Sequence, residues 1–168
     1  TTNSGANFST ISNNIPGGPT GDWVTPFALC TADNDIIVAG YQKVYASQDN
    51  GTSWTAISPN IVSGSSYIKK IAIADQNPNY IYVSLGTSVV RYTDNMGINP
   101  AAAWKYIYAP SSARINNLCI DPKDPKIIYV VTSGYGTNFR MGKYNGNDST
   151  WTWMNAGLPN VPANAIEV

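Results

Sequence analysis

Two carboxyl groups held about 5–9.5 Å apart across a sugar can hydrolyse a glycosidic bond, and aspartate is the acid this chain has for such work. The candidates are Asp22, Asp33, Asp35, Asp75, Asp94, Asp121, Asp124 and Asp148. Glu occurs once, at Glu167, and His is absent, which excludes a His-based triad or a His metal site within the chain. Asp33/Asp35, Asp75 and Asp121/Asp124 fall at equivalent places between apolar runs, and recurrence of that kind points to turn-making, which suits the short acceptor side chain of Asp. Asp22 and Asp94 have no such recurrence, and nothing in the sequence marks either as an acid with a raised pKa. No catalytic residue is assigned. Asp33-Asn34-Asp35 and Asp121-Pro122-Lys123-Asp124 are rich in oxygen but lack the glycine-and-Glu spacing of a calcium loop, so neither a metal nor a cofactor is expected.

Binding candidates are clearer. The stretch Gly134 to Met141 carries Tyr135, Phe139 and Arg140 among flexible glycines, and exposed aromatics with an arginine suit a glycan or protein ligand. The competing reading is a packing insertion that buries Phe139 and Met141. Trp151 is a candidate sugar platform. Trp151 and Trp153 are read as lying on opposite faces of one strand, so that at most one joins the core. Asn7, Asn50 and Asn147 match the N-glycosylation pattern, a match expected by chance in a chain with 19 Asn.

The elements that must position these residues follow from repetition. Phe8, Ile11 and Ser12 recur 46 residues on as Trp54, Ile57 and Ser58; Gly40 recurs at Gly86 and Gly134, Val38 at Val83 and Val130, and Val44 at Val90. A period of 46–48 residues is that of a four-stranded propeller blade, about 40–50 residues. The best-preserved turn is Ser47-Gln48-Asp49-Asn50-Gly51-Thr52-Ser53-Trp54. There Gly51 accepts φ > 0, Asp49 and Ser47 bond nearby amides, and Trp54 returns apolar area to the core. Its second copy is degenerate, with Thr93, Asn95 and Gly97 followed by an insertion through Pro100 and Ala103 before Trp104. The third, Tyr144 to Trp153, loses the spacing. The fold expected is all-β, a β-propeller segment of about three four-stranded blades with partial strands at both ends. Residues 1–20 are the tail of a preceding blade, 21–60, 61–110 and 111–158 are blades, and 159–168 begin another. First strands are placed at Phe27–Ala32, Ile68–Ile73 and Arg114–Ile120. Cys30 and Cys119 sit a whole blade apart, beyond the ~7 Å a disulfide allows between Cα atoms, and are expected to be unpaired.

The box Ser47-x-Asp49-x-Gly51-x-x-Trp54, the run Asp121-Pro-Lys-Asp-Pro-Lys-Ile-Ile-Tyr-Val130 and the run Gly157-Leu-Pro-Asn-Val-Pro-Ala-Asn-Ala-Ile166 together resemble the Asp-box repeat propellers. That superfamily includes xyloglucanase-type glycoside hydrolases, sialidases, sortilin-like receptors, a photosystem II assembly factor and secreted Bacteroidetes proteins exported by type IX secretion. The resemblance implies a structural role for Ser47, Asp49, Gly51 and Trp54. A sialidase would need clustered arginines with a Tyr–Glu pair; Arg91, Arg114 and Arg140 fall at different points of the repeat, so a complete sialidase site is not expected.

The 10 basic and 10 acidic residues cancel, which gives no overall electrostatic footprint for nucleic acid or an anionic membrane. No apolar run approaches transmembrane length, and Thr1 begins no signal sequence, so a leader has been removed or the chain is a piece of a longer one. The expected setting is secreted or at a bacterial cell surface. The expected function is a non-catalytic scaffold binding protein or glycan, its open edges covered by the rest of a propeller or by a partner. The alternatives are part of a glycoside hydrolase whose site other blades complete, and an assembly factor docking another complex.

Overall fold

The computed structural model describes residues 4–62, 66–96, 104–110, 112, 114–135 and 139–168; the insertion around Pro100 and Ala103 and the middle of the Gly134–Met141 stretch lie outside them. The described chain folds into three four-stranded antiparallel sheets, each taking its strands in sequence order. The first sheet holds β1 (Phe27–Leu29), β2 (Ile37–Gly40), β3 (Val44–Ser47) and β4 (Thr55–Ala56). The second holds β5 (Lys70–Ile73), β6 (Ile81–Ser84), β7 (Val89–Thr93) and β8 (Lys105–Tyr108). The third holds β9 (Ile115–Ile120), β10 (Ile127–Thr132), β11 (Met141–Asn145) and β12 (Thr150–Trp153). The first strands β1, β5 and β9 lie beside one another, so the sheets fan from a common line, the geometry of consecutive propeller blades.

Successive sheets stack face to face over apolar cores. Val38, Val44, Ala46 and Cys30 of the first meet Ile71, Ile73, Ile81 and Val83 of the second. Tyr82 and Val90 of the second meet Leu118, Ile128 and Val130 of the third. Because blades are covered on both faces, their second strands β2, β6 and β10 run nearly continuously apolar rather than alternately, and β6 (Ile-Tyr-Val-Ser) is buried throughout. That pattern hides register. Val38 and Val83 are not equivalents: they share one inter-blade core from opposite sides. The pairings Ala39↔Tyr45, Val83↔Arg91 and Val130↔Gly142 show that Ala39 is the true counterpart.

Other boundaries also shift. β1 ends at Leu29 because Asp33 to Asp35 already turn the chain, with Cys30 N–H donating to the Ile36 carbonyl. β4 keeps two residues. Gly86 and Gly134 take positive φ at loop positions, whereas Gly40 is an ordinary strand residue at the end of β2. Residues 4–26 hold no strand, only a 3-10 turn at Ser12–Asn14, since no ladder partner for Asn7–Ser12 occurs among the described residues. Cys30 and Cys119 are both free thiols, in different sheets.

Candidate functional site

In an up-and-down sheet the connections alternate between its two ends. The hairpins β1–β2, β3–β4 and their counterparts turn at one end, here called the turn end. The hairpins β2–β3, β6–β7 and β10–β11 open at the other, together with the crossings from one blade to the next; this is the crossing end.

The box is built at the turn end. Asn50 and Gly51 both take positive φ (56° and 82°), and Thr52 N–H closes the turn onto the Asp49 carbonyl at 3.1 Å. The Ser47 hydroxyl accepts from Gly51 N–H at 2.7 Å and donates to Asp49 Oδ1 at 2.8 Å. Asp49 also accepts from the Ser53 amide at 2.8 Å and hydroxyl at 2.6 Å. These bonds, the Ser53 hydroxyl first, hold the Asp49 carboxyl below its ordinary range. Among the described residues of the degenerate second copy, Asn95 N–H donates to the Thr93 hydroxyl at 3.1 Å.

Trp54 leaves the box buried, and its Nε1–H donates to the Ile11 carbonyl at 3.2 Å. Trp104 Nε1–H donates to the Ile57 carbonyl at 2.8 Å, and Trp151 Nε1–H to the Tyr108 carbonyl at 3.1 Å. One indole per blade thus latches onto backbone belonging to the segment before it. Sequence reading missed this device; its signal was a tryptophan recurring 43 or 47 residues after its carbonyl partner.

Every aspartate carboxylate accepts a hydrogen bond from its surroundings. At the turn end Asp33 accepts from the Asp35 amide, Asp35 from Asn50, Asp124 from the Lys126 amide, and Asp148 from Thr150. Asp75 reaches across to Thr31 N–H of the first blade at 2.6 Å. Asp121 accepts from Lys123 N–H at 2.9 Å and from the Tyr129 hydroxyl, and the Lys123 amide leads in lowering its pKa. Asp94 pairs with Lys105 at 2.5 Å, and at the crossing end Asp22 pairs with Lys69 at 2.5 Å, which lowers the Asp22 pKa. A general acid at neutral pH needs a raised carboxyl pKa; each resolved shift here runs the other way. The groove of about 540 Å³ along β1, β5 and β9 is lined by Lys70, Asn117, Cys119 and Glu167 among others. Burial pushes the Cys119 thiol up to about 11, with Glu167 and Asp121 adding to the shift, so it is no nucleophile at neutral pH.

All the charged residues lie among the described residues, and all but Arg91 and Lys143, inside β7 and β11, and Glu167, in the groove along the first strands, separate by end. The turn end holds Asp33, Asp35, Asp75, Asp121 and Asp124 in the first hairpins and Asp49, Asp94 and Asp148 in the second, against Lys105, Lys123 and Lys126. At the crossing end Lys43, Lys69, Lys70, Arg114 and Arg140 each border a strand terminus, against Asp22 alone. The neutral total conceals two opposite poles.

The binding candidates divide. Tyr135 is 75% exposed at the crossing end. Phe139 packs edge-on to Trp153 at 4.8 Å. Arg140 donates to the Leu158 carbonyl at 3.2 Å and to Asn160 Oδ1 at 2.7 Å, pinning the segment that leaves the third blade. Trp151 and Trp153 stack at 5.6 Å with planes 9° apart. Their expected placement on opposite faces is therefore corrected: residues two apart on a strand share a face, and Gly142 opposite leaves room for the Trp153 ring. Phe139, Trp153 and Trp151 form one row beside Tyr144, and Tyr135 stands outside it.

The fold and the bonded turns define three consecutive blades of a β-propeller. Among solved structures the chain resembles an ancestral GH74 enzyme with TM-score 0.62 and 18% identity, over 82% of this chain and 21% of that one. It also resembles a GH74 enzyme of Niastella koreensis, with TM-score 0.48 and 16% identity, over 80% of this chain and 24% of that one. The chain thus spans about a fifth to a quarter of the length of these enzymes, and the likeness to the first is one of fold. No protein-family model and no curated protein matches it. Among the described residues no helix is long and apolar enough to cross a membrane.

Proposed function

We propose that this chain is the binding scaffold of a secreted or cell-surface β-propeller, engaging a protein or glycan and carrying out no chemistry within these blades. The observation that supports this reading is the state of its acids: each aspartate is committed to a turn or an ion pair, and the resolved carboxyl pKa values move down. The open face of the first blade, where Phe27, Leu29 and Ile11 are exposed, is proposed to pack against a further blade or a partner. A second reading, part of a glycoside hydrolase, draws on the GH74 enzyme that shares the fold; its acids would then come from outside these blades. The test screens the full chain against immobilised glycans and cell-surface proteins and, in parallel, for release of reducing sugar. Binding without release is expected; release of sugar by the chain alone would overturn the non-catalytic reading.

A further inference from the structure

We propose that the crossing end is a binding surface for an acidic glycan, a polysaccharide of uronic-acid units whose carboxylates meet the cations collected there. The inference rests on the binding reading above and adds the ligand's chemistry and its place on the fold. Lys43 precedes β3, Lys70 opens β5, Arg114 precedes β9 and Arg140 precedes β11, so four strand termini in three blades each place a cationic residue at the same end, with Lys70 also lining the groove along β1, β5 and β9. Lys69 is the one among them with a carboxylate partner, and Asp22, the sole acid of that end, is taken up by it. Among the described residues the Arg140 guanidinium bonds a carbonyl and an amide oxygen, both neutral acceptors, and no carboxylate pairs with its charge.

Of these cations Arg114 is exposed and Lys43, Lys70 and Arg140 are half-buried; spread over three blades, each within reach of water and salt that screen it, they attract a single small anion weakly. A polymer that carries a charge on every unit can meet several at once and gains by multivalency. Two aromatics stand at the same end, Trp23 at 99% and Tyr135 at 75% exposure, and rings this open offer apolar faces to a pyranose. The rest of that end is furnished with small hydroxyls and amides, including Asn60, Thr87, Ser88, Ser112 and Ser133, which match a ligand dense in hydroxyl groups. The acidic turn end repels the same polymer, which restricts it to one pole.

The test measures binding of the full chain to polygalacturonate and to the same polymer fully methyl-esterified, which keeps the backbone and removes the charge. Polygalacturonate is expected to bind at least about tenfold more tightly than the ester, less tightly as salt rises from 50 to 300 mM, since screening length falls over roughly that range. Lys43→Ala and Arg114→Ala are each expected to weaken it about two- to fivefold, and Trp23→Ala by about fivefold or more. Arg114 and Trp23 are exposed, and unchanged thermal melting of those variants separates lost contact from lost fold. Equal binding of the ester, indifference to Lys43→Ala and Arg114→Ala, or tighter binding of polyuridylate or polyglutamate would each overturn the proposal. Binding of neutral glycans alone would do so while leaving the scaffold reading in place. Hydrolysis of polygalacturonate with the same charge selectivity would support the surface and overturn the scaffold reading instead.

Discussion

If the indole latches hold successive blades together, their strengths should rank with the burial of the carbonyl each one serves. Trp104 is 7% exposed, and its bond to the Ile57 carbonyl is buried and 2.8 Å long. Trp104→Phe keeps an aromatic ring but removes the only group that donates this bond. Losing the bond and leaving a buried carbonyl unpaired costs about 1.5–2 kcal/mol, and the smaller ring adds a cavity, for about 2–3 kcal/mol in all. Trp151 is half-buried and its bond to the Tyr108 carbonyl, at 3.1 Å, is exposed to solvent. Water replaces the indole there, so Trp151→Phe should cost about 0.5–1.5 kcal/mol. Urea unfolding followed by circular dichroism gives both values, and in a chain of this size the first should lower the melting temperature by about 4–12 °C. Equal costs, or a larger cost at Trp151, would refute the reasoning, because ring packing and not the latch would then decide the effect.

Other expectations bear on the box and the thiols. The Asp49 carboxyl sits below its ordinary value, chiefly through the Ser53 hydroxyl. The stability it contributes is present above the unfolded pKa near about 4 and is lost as pH falls through its lower folded value. Asp49→Asn should therefore flatten the acid limb of a stability-versus-pH curve measured from pH 6 to 2; an unchanged limb counts against the turn role. Gly51→Ala should cost about 1–3 kcal/mol, since φ is +82° and the new Cβ would meet Ile11 Cδ1 at 2.7 Å; a neutral result in thermal melts would contradict that geometry. Intact mass should be the same with and without reductant, and alkylation of Cys119 should keep accelerating toward pH of about 11; a mass difference of two protons would mean a bridge and break the blade assignment.

The blade architecture was readable because its punctuation is local. Asp49-Asn50-Gly51 and Asp121-Pro122-Lys123-Asp124 build their turns from their own neighbours, so spacing alone reveals them. Register was not readable in the middle strands. Val38, Val83 and Val130 look alike because both faces of a blade are apolar, and alternation, the usual guide to facing, is erased there. Trp151 and Trp153, two apart on β12, share a face, as strand periodicity itself requires. The roles of Phe139 and Arg140 depended on Trp153 and on residues 158–160, contacts that composition does not show. The charge poles were within reach of the sequence: once strands are placed, all the charged residues but Arg91, Lys143 and Glu167 fall at one of two kinds of connection, and summing the whole chain to zero discarded that information.

Those poles also bear on how the protein behaves in bulk. Zero net charge is the condition under which proteins lose mutual repulsion and come out of solution, but a molecule with separated poles does not behave as an uncharged one. At low ionic strength the positive pole of one copy attracts the negative pole of the next, so copies should line up end to end and scatter more light as the concentration rises. Added salt should disperse them, a salting-in response opposite to that of a uniformly neutral surface. Cation and anion exchangers should both retain the protein near neutral pH, each holding it by a different end.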